Sequence, residues 1–310
     1  MELRGAFIID KAAGMTSHDV VARIRHVVKT RRVGHAGTLD PFATGVLVVC
    51  VGSATRLTQF LVGLDKQYAA VIRLGYATDT HDSTGKPVTP VIASNTLRVQ
   101  DIAAVLTEFI GPQLQMPPMY SAKKIGGERL YRAAREGREI DRQASRITVY
   151  SLSLDLETRG IVDNPDGTKD FVVRVNCSSG TYIRRLAHDI GVRLELGAHL
   201  VELRRESVGN HQLEQAVTVE TLEHLEDPGQ VRGFLVSPAD VIGHMPKVVL
   251  TEDQASGVRN GREVELDETL ARSLGPAALA RLCSSKGDLV AVGEVVAERC
   301  AIKPRMVLAV

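Results

Sequence analysis

The stretch GHAGTLDPFATG, residues 34–45, sets three glycines and one proline around a single carboxylate, Asp40, and runs directly into the apolar VLVVCV. Pro41 disfavours helical geometry at Asp40 and holds it extended. Gly37 and Gly45 allow another backbone or a flat ligand to approach closely. A carboxylate held in this way can act as general base, nucleophile or ion-pair partner. In a closed site each of these needs a cation or hydrogen-bond donor nearby to keep the acid charged. A phosphate cradle is a poor fit, because the loop lacks both the G-K-[ST] ending and a G-x-G-x-x-G entry into a helix. No further ligand stands near Asp40 and His35 at metal-site spacing, so no metal is expected. The bland alternative is a structural turn in which Asp40 caps backbone amides.

A loop of this kind needs a scaffold, and 310 residues at 44% hydrophobic content can bury a large core and a second small one. GAFIID reads as an opening strand. Thr16 or Ser17 can cap the helix that follows, with Asp19 in its first turn. Val20, Val21, Ile24, Val27 and Val28 share one face of that helix, leaving Arg23, Arg25 and Lys29 mostly off it, toward solvent or a partner. GSATRLTQFLVG reads as a short helix, QYAAVIRLGYAT as a strand and THDSTGKPVTP as a turn-rich loop. TLRVQDIAAVLTEFIG is helical. The segment PQLQMPPMYSAKKIGGERL is too polar and broken for core and reads as a surface excursion. ITVYSLSLDLE and DFVVRVNCS read as paired strands joined across NPDG. TYIRRLAHDIGVRL is a helix with Ile183, Leu186, Ala187 and Ile190 on one side.

A boundary is expected near SPADVIGHMP. Beyond it, KVVL, REVEL, DLVAVGEVV and RMVLAV suggest a compact β-rich module. Without regular βαβ alternation the class is α+β, with a mixed sheet. The formal charge of +1 announces no nucleic-acid partner in bulk. Arginines instead cluster in RIRHVVKTRR, in 129–146, and in the pairs Arg184-Arg185 and Arg204-Arg205. Such clusters are ordinarily solvated faces, and become a footprint only where they converge. Cys50, Cys177 and Cys283 sit in or beside apolar runs, as buried thiols do in a reducing compartment, and Cys300 stands apart. With no leader pattern and no membrane-length run, a cytoplasmic protein is expected.

Taken together, DKAAGMTSHDVV, GHAGTLDPFATG, GSATRL, KQYAAVIRLG, QMPPMYSAKKIGGERLYRAAREG, CSSGTYIRRLAHDIG and GAHLVELRRESVG resemble the TruB family of tRNA pseudouridine synthases. They occur in that family's order and cover nearly all of residues 5–240. The resemblance implies a pseudouridine synthase catalytic domain over 1–240, with an RNA-contacting insertion at about 113–146, and a PUA-like module over 245–310. One departure stands out: the family reads D-K-P-x-G where this chain has Asp10-Lys11-Ala12-Ala13-Gly14. That frees the backbone at residue 12 but removes no chemical group.

The resemblance further implies isomerisation of uridine 55 in the T loop of tRNA, with no cofactor and no obligate protein partner. Asp40 matches the catalytic aspartate, which would attack C1′, act as base at C2′, or attack C6 of the uracil. Tyr68 matches the tyrosine that stacks on the flipped base, and Arg184 the arginine that pairs with the acid. Tyr182 and Leu203 would line the base pocket. His35 would fill the space that the flipped base leaves in the RNA. Lys11 would shape the site or meet a phosphate. Arg129, Arg132, Arg135, Arg138, Arg142 and Arg146 recur every three or four residues, approximating a basic stripe on a flap with glycine pivots. Three competitors remain: a guide-RNA-dependent enzyme of the dyskerin type, a noncatalytic tRNA-binding or folding protein, and a uracil glycosylase, which would release free base.

Overall fold

The computed structural model describes residues 3–93, 97–121, 124–138, 140–158, 160–276 and 278–308. In chain order the first strands are β1 (Gly5–Lys11), β2 (Val33–Ala36), β3 (Thr44–Val51), β4 (Lys66–Leu74) and β5 (Gly111–Gln115). A short hairpin, β6 (Lys124–Ile125) and β7 (Glu128–Arg129), is followed by β8 (Ser145–Leu154), β9 (Ile161–Asp163), β10 (Lys169–Cys177), β11 (Ala198–Val208) and β12 (His211–Gln212). The helices that matter to the site are α1 (Ser17–Val28), α2 (Thr58–Leu61), α3 (Val99–Glu108), α4 (Leu130–Arg135) and α5 (Ile183–Arg193).

One large mixed sheet runs β1-β3-β11-β4-β10-β8-β5, with β2 added on β3, β9 on β10 and β12 on β11. All of its pairings are antiparallel except β11 with β3, which meet in parallel at Arg204↔Thr44 and Arg205↔Gly45. The run VLVVCV is apolar at every position because both faces of β3 are covered. Leu47, Val49 and Val51 face a core shared with α1, α3 and α5, whereas Val46, Val48 and Cys50 face the opposite way. β1 divides likewise, Phe7 and Ile9 against Ala6 and Ile8.

Residues 52–61 and the C-terminal module close that second face. The module is a five-stranded sheet of β13 (Lys247–Val249), β14 (Val264–Glu265), β15 (Leu279–Cys283), β16 (Leu289–Val296) and β17 (Ala301–Val307), ordered β13-β15-β16-β17-β14. Cys283, Leu289, Val292, Met306 and Leu308 share one apolar cluster with Val46, Val48, Leu57 and Leu61. The connecting stretch contributes Ala239, Val241, Ile242 and Met245 to the same cluster, so the seam is buried rather than a solvated linker. Among the described residues no helix is long and apolar enough to cross a membrane.

Local expectations fare unevenly. Thr16 is the cap of α1, with Asp19 completing a capping box. Arg23 and Arg25 lie off the buried face as expected, but both are engaged within the chain. Arg23 pairs with Glu220 at 2.8 Å and also with Glu223, and Arg25 donates to the Val33 carbonyl at 3.0 Å. NPDG joins β9 to β10, because β9 intervenes between the two longer strands. Cys50, Cys177 and Cys283 are buried free thiols.

Candidate active site

Asp40 sits in the loop from β2 to β3, and the sequence around it is tied down from several sides. Ser17, buried at the start of α1, donates through Oγ to the Leu39 carbonyl at 3.2 Å and accepts from Leu39 N at 2.9 Å. Arg205, 1% exposed, donates through Nη2 to the Gly37 carbonyl at 3.1 Å and through Nε to the Val46 carbonyl at 2.7 Å. Gly45, at φ +99°, lets β11 close against the loop's far end. A Cβ there would stand 2.1 Å from the Arg205 carbonyl oxygen, so the backbone approach expected at this glycine is real.

Lys11 is 0% exposed, and its Nζ donates to the carbonyls of Ala12 at 2.8 Å, Met15 at 2.9 Å and Pro41 at 3.3 Å. With its three donors directed at carbonyls, the ammonium fits the expectation that Lys11 shapes the loop better than the expectation that it meets a phosphate. The Ala12 segment is fastened to the Asp40 loop by Lys11 and by Gly14 N donating to the Pro41 carbonyl at 2.9 Å.

Opposite Asp40 stands Arg184, in the first turn of α5. Its Nε lies 2.8 Å from Asp40 Oδ2, and Nη2 donates to Oδ1 at 3.2 Å. The guanidinium is buried and held on every side. Nη1 donates to Asp82 Oδ2 at 3.1 Å and to the Thr80 carbonyl at 3.3 Å, and Nη2 to the Tyr120 carbonyl at 2.8 Å. Asp82 is held in turn by Thr80 Oγ1 at 2.7 Å, Thr84 N at 3.0 Å and Thr84 Oγ1 at 2.5 Å. Two carboxylates thus flank one arginine, one of them locked and the other facing the cavity. The Asp40 side chain remains 34% exposed, against 4% for Asp82.

Crowding by protein pushes the Asp40 carboxyl above its ordinary 3.8. Arg184 opposes that rise, Asp82 adds to it and Lys11 opposes it. The acid is partly exposed and lines a concavity. That concavity, about 250 Å³, is lined by Asp40, Tyr68, Tyr182, Arg184, Leu203 and Arg205, among others. It is slightly below the ~300–1,000 Å³ usual for small-molecule pockets and has room for a single base.

Five of the seven expected residues therefore converge. Tyr68 and Leu203 come from the neighbouring strands β4 and β11, both buried. Burial lifts the Tyr68 phenol above its ordinary range, with Arg205 beside it working the other way. Tyr182 precedes α5 and is gripped by Gln115, whose Oε1 accepts from Tyr182 N at 2.8 Å and whose Nε2 donates to the Tyr182 carbonyl at 3.1 Å. His35 is not part of the cavity wall. It lies on β2 edge-on to His18 at 5.4 Å, with its ionisation shifted down mainly by burial.

Sequence reasoning missed Asp82, Gln115 and Arg205. Asp82 sat in a stretch read as a plain turn. Gln115 closes β5, an edge strand where a surface excursion was expected. Arg205 belonged to a pair read as solvated, yet period-two alternation in ELRRESV sets it inward with Leu203.

The basic stripe is a correction. α4 spans only Leu130–Arg135; Arg129 ends the β6–β7 hairpin, and Arg146 lies in β8. Arg138 pairs with Glu128 and with Glu136 at 2.5 and 2.6 Å. The side chains of Arg129, Arg132 and Arg135 lie outside the described set.

Solved structures share this architecture. A Cbf5-Nop10-Gar1 complex aligns with TM-score 0.72 and 27% identity, covering 98% of this chain and 85% of that one. An H/ACA RNP bound to a substrate RNA containing 2'-deoxyuridine aligns at 0.71 and 25%, covering 99% and 85%. The fold is thus that of RNA pseudouridine synthases. The family model for the TruB pseudouridylate synthase N-terminal domain matches residues 25–183, and that for the tRNA pseudouridylate synthase B C-terminal domain matches 184–240. The chain belongs to the TruB family of pseudouridylate synthases. Among its relatives, tRNA pseudouridine synthase B of Geobacter sulfurreducens is 45% identical over 83% of this chain and 81% of that protein. The protein of the same name from Bacillus velezensis is 39% identical over 94% and 92%.

Proposed function

We propose that this enzyme isomerises uridine 55 in the T loop of tRNA to pseudouridine, working in the cytoplasm. The C1′–N1 bond breaks, the uracil turns within the cavity, C5 bonds to C1′ and gives up its proton, and N1 takes one up. Atoms and electrons balance within the one nucleotide, so the reaction takes neither water nor redox partner. The observation that carries this reading is the placement of Asp40, partly exposed in a cavity with room for a single base and gripped by Arg184.

The target base must leave its stack, at a cost of about a few kcal/mol. Tyr68 offers a ring against which it packs, with Leu203 and Tyr182 closing the sides. Whether it attacks C1′, takes the C2′ proton or attacks C6, the reacting atom on the protein is an Asp40 carboxylate oxygen. Arg184 holds that acid charged and aimed by a charge-assisted contact. His35, at the edge of the loop, fills the position that the base vacates in the RNA. Residues 113–146 close over the RNA arm, and the module over 245–310 adds a further RNA contact in the manner of PUA domains.

Incubating the purified chain with an unmodified tRNA transcript, then mapping carbodiimide-dependent reverse-transcription stops, tests this directly. A stop at position 55 is expected without added protein or guide. Affinity should weaken as salt rises, through phosphate contacts. The likeness to H/ACA structures supports a second reading, a guide-dependent enzyme. Modification that appears only when a guide RNA is supplied would select it.

A further inference from the structure

The turn that carries Asp82 touches α5 twice, one helical turn apart. Asp82 holds Arg184, and the preceding residue, His81, stacks on His188 with ring centroids 4.1 Å apart and planes 16° from parallel. Positions 184 and 188 lie on one face of the helix, so the two contacts act as a two-point attachment. His81 takes a left-handed backbone, φ +64°, a strained choice for a residue with a side chain. The same turn is fastened to β11, Leu200 N donating to the His81 carbonyl at 3.0 Å and Ser83 N to the Leu200 carbonyl at 2.9 Å.

Neither imidazole uses its buried Nδ1 in a hydrogen bond. What the rings do offer is a flat face each. Arg184, Arg185 and Asp189 on α5 and Asp82 on the turn are the charged groups around the pair. Burial, the neighbouring ring and the two arginines pull His81 down to about 3, and burial also lowers His188. Both rings are therefore neutral at neutral pH, and the stack carries no repulsion.

We propose that the His81–His188 stack is a positioning device for the reaction. It seats the strained turn on α5, which keeps Asp82 against Arg184 and so keeps the guanidinium turned toward Asp40. This rests on the reading of Asp40 and Arg184 as the reaction centre. His81 and His188 act through Arg184 and touch no substrate.

The test uses the full chain, an unmodified tRNA transcript, single-turnover rates at saturating enzyme, and tRNA affinity. His81→Gly removes the ring while relieving the backbone strain, which favours folding. It is expected to lose about tenfold to a hundredfold in rate, the scale of a small misplacement of reacting groups, with tRNA affinity unchanged. The acid side of its pH–rate profile should also move to higher pH, because a loosened Arg184 opposes protonation of Asp40 less. His81→Phe and His188→Phe preserve a flat neutral stack and should recover the rate.

A glycine variant as fast as the parent overturns the proposal, as does a phenylalanine variant as slow as the glycine one. A loss confined to tRNA affinity also overturns it, since the ring would then face RNA. Asp40→Asn is run alongside. If that variant turns over like the parent, the reading of the site falls; if it is inactive and His81→Gly is unimpaired, only the stack proposal falls.

Discussion

Arg184 reaches Asp40 with Nε at 2.8 Å from Oδ2 while its Nη1 holds Asp82 at 3.1 Å, so a single guanidinium bridges a buried, anchored acid and one that faces the cavity. Its two remaining contacts, the carbonyls of Thr80 and Tyr120, fix the plane. A planar fork with several fixed donors can do this, and a point charge cannot. Arg184→Lys is therefore expected to fold, to bind tRNA, and to lose about 100-fold or more in single-turnover rate, the usual range for deleting a preorganised donor. A rate within threefold of the parent, measured at saturating enzyme, would remove the guanidinium from the mechanism.

Asp40 carries an opposite burden, because burial raises its pKa above 3.8 while the proposed chemistry needs it charged. The rate should fall with acidification through a midpoint above that ordinary value. Stability has its own sign. Between the ordinary and raised values the folded chain binds a proton that the unfolded chain does not, so folding stability falls as pH rises through that window. Asp40→Asn cannot titrate. The variant should be inactive yet bind tRNA, and its unfolding free energy relative to the parent should increase from acid toward neutral pH. Urea unfolding at a series of pH values reads this slope, and a flat difference would mean that Asp40 titrates normally.

Asp82 is buried, with four donors around its carboxylate. Asp82→Asn keeps the shape but makes one amide hydrogen face those donors. A stability loss of about 1–3 kcal/mol is expected, as for a buried group left badly partnered. The rate should drop at unchanged tRNA affinity, and Asp82→Ala should drop it further. If Asp82→Asn weakens only binding, the carboxylate faces RNA instead of serving Arg184.

Of the seven residues that the motif order pointed to, Asp40, Tyr68, Tyr182, Arg184 and Leu203 line the cavity, while His35 and Lys11 do not. Their neighbours were harder to see, for a physical reason. Asp82 meets Arg184 across 102 positions and Gln115 meets Tyr182 across 67, and no local periodicity encodes either contact. Arg205 was the exception, legible in principle from strand alternation but discounted because paired arginines are ordinarily solvated. The arginine spacing in 129–146 misled in the opposite direction. A helical period only predicts a stripe if the helix persists, and here Gly137 (φ +69°) and the entry into β8 end it after Arg135. The apolar run VLVVCV was legible as a strand, but its coverage on both faces, one of them by the C-terminal module, emerges only from the packing.

Gly45 separates the fold's demands from those of the chemistry. Its φ of +99° costs any side chain about 1–3 kcal/mol, and an added Cβ would also meet the Arg205 carbonyl oxygen at 2.1 Å. Relief requires β11 to move away from β3, which would shift Arg205 off the Gly37 and Val46 carbonyls and unsettle the Asp40 loop. Gly14 is the control, with φ +86° but nothing within 4 Å of the point where a Cβ would stand, so Gly14→Ala bears the backbone cost alone. Denaturant unfolding should place Gly45→Ala well below Gly14→Ala in stability, and single-turnover assays should find the former much the slower. Equal behaviour of the two variants would mean that the β3–β11 contact at Gly45 yields easily and does not set the position of Asp40.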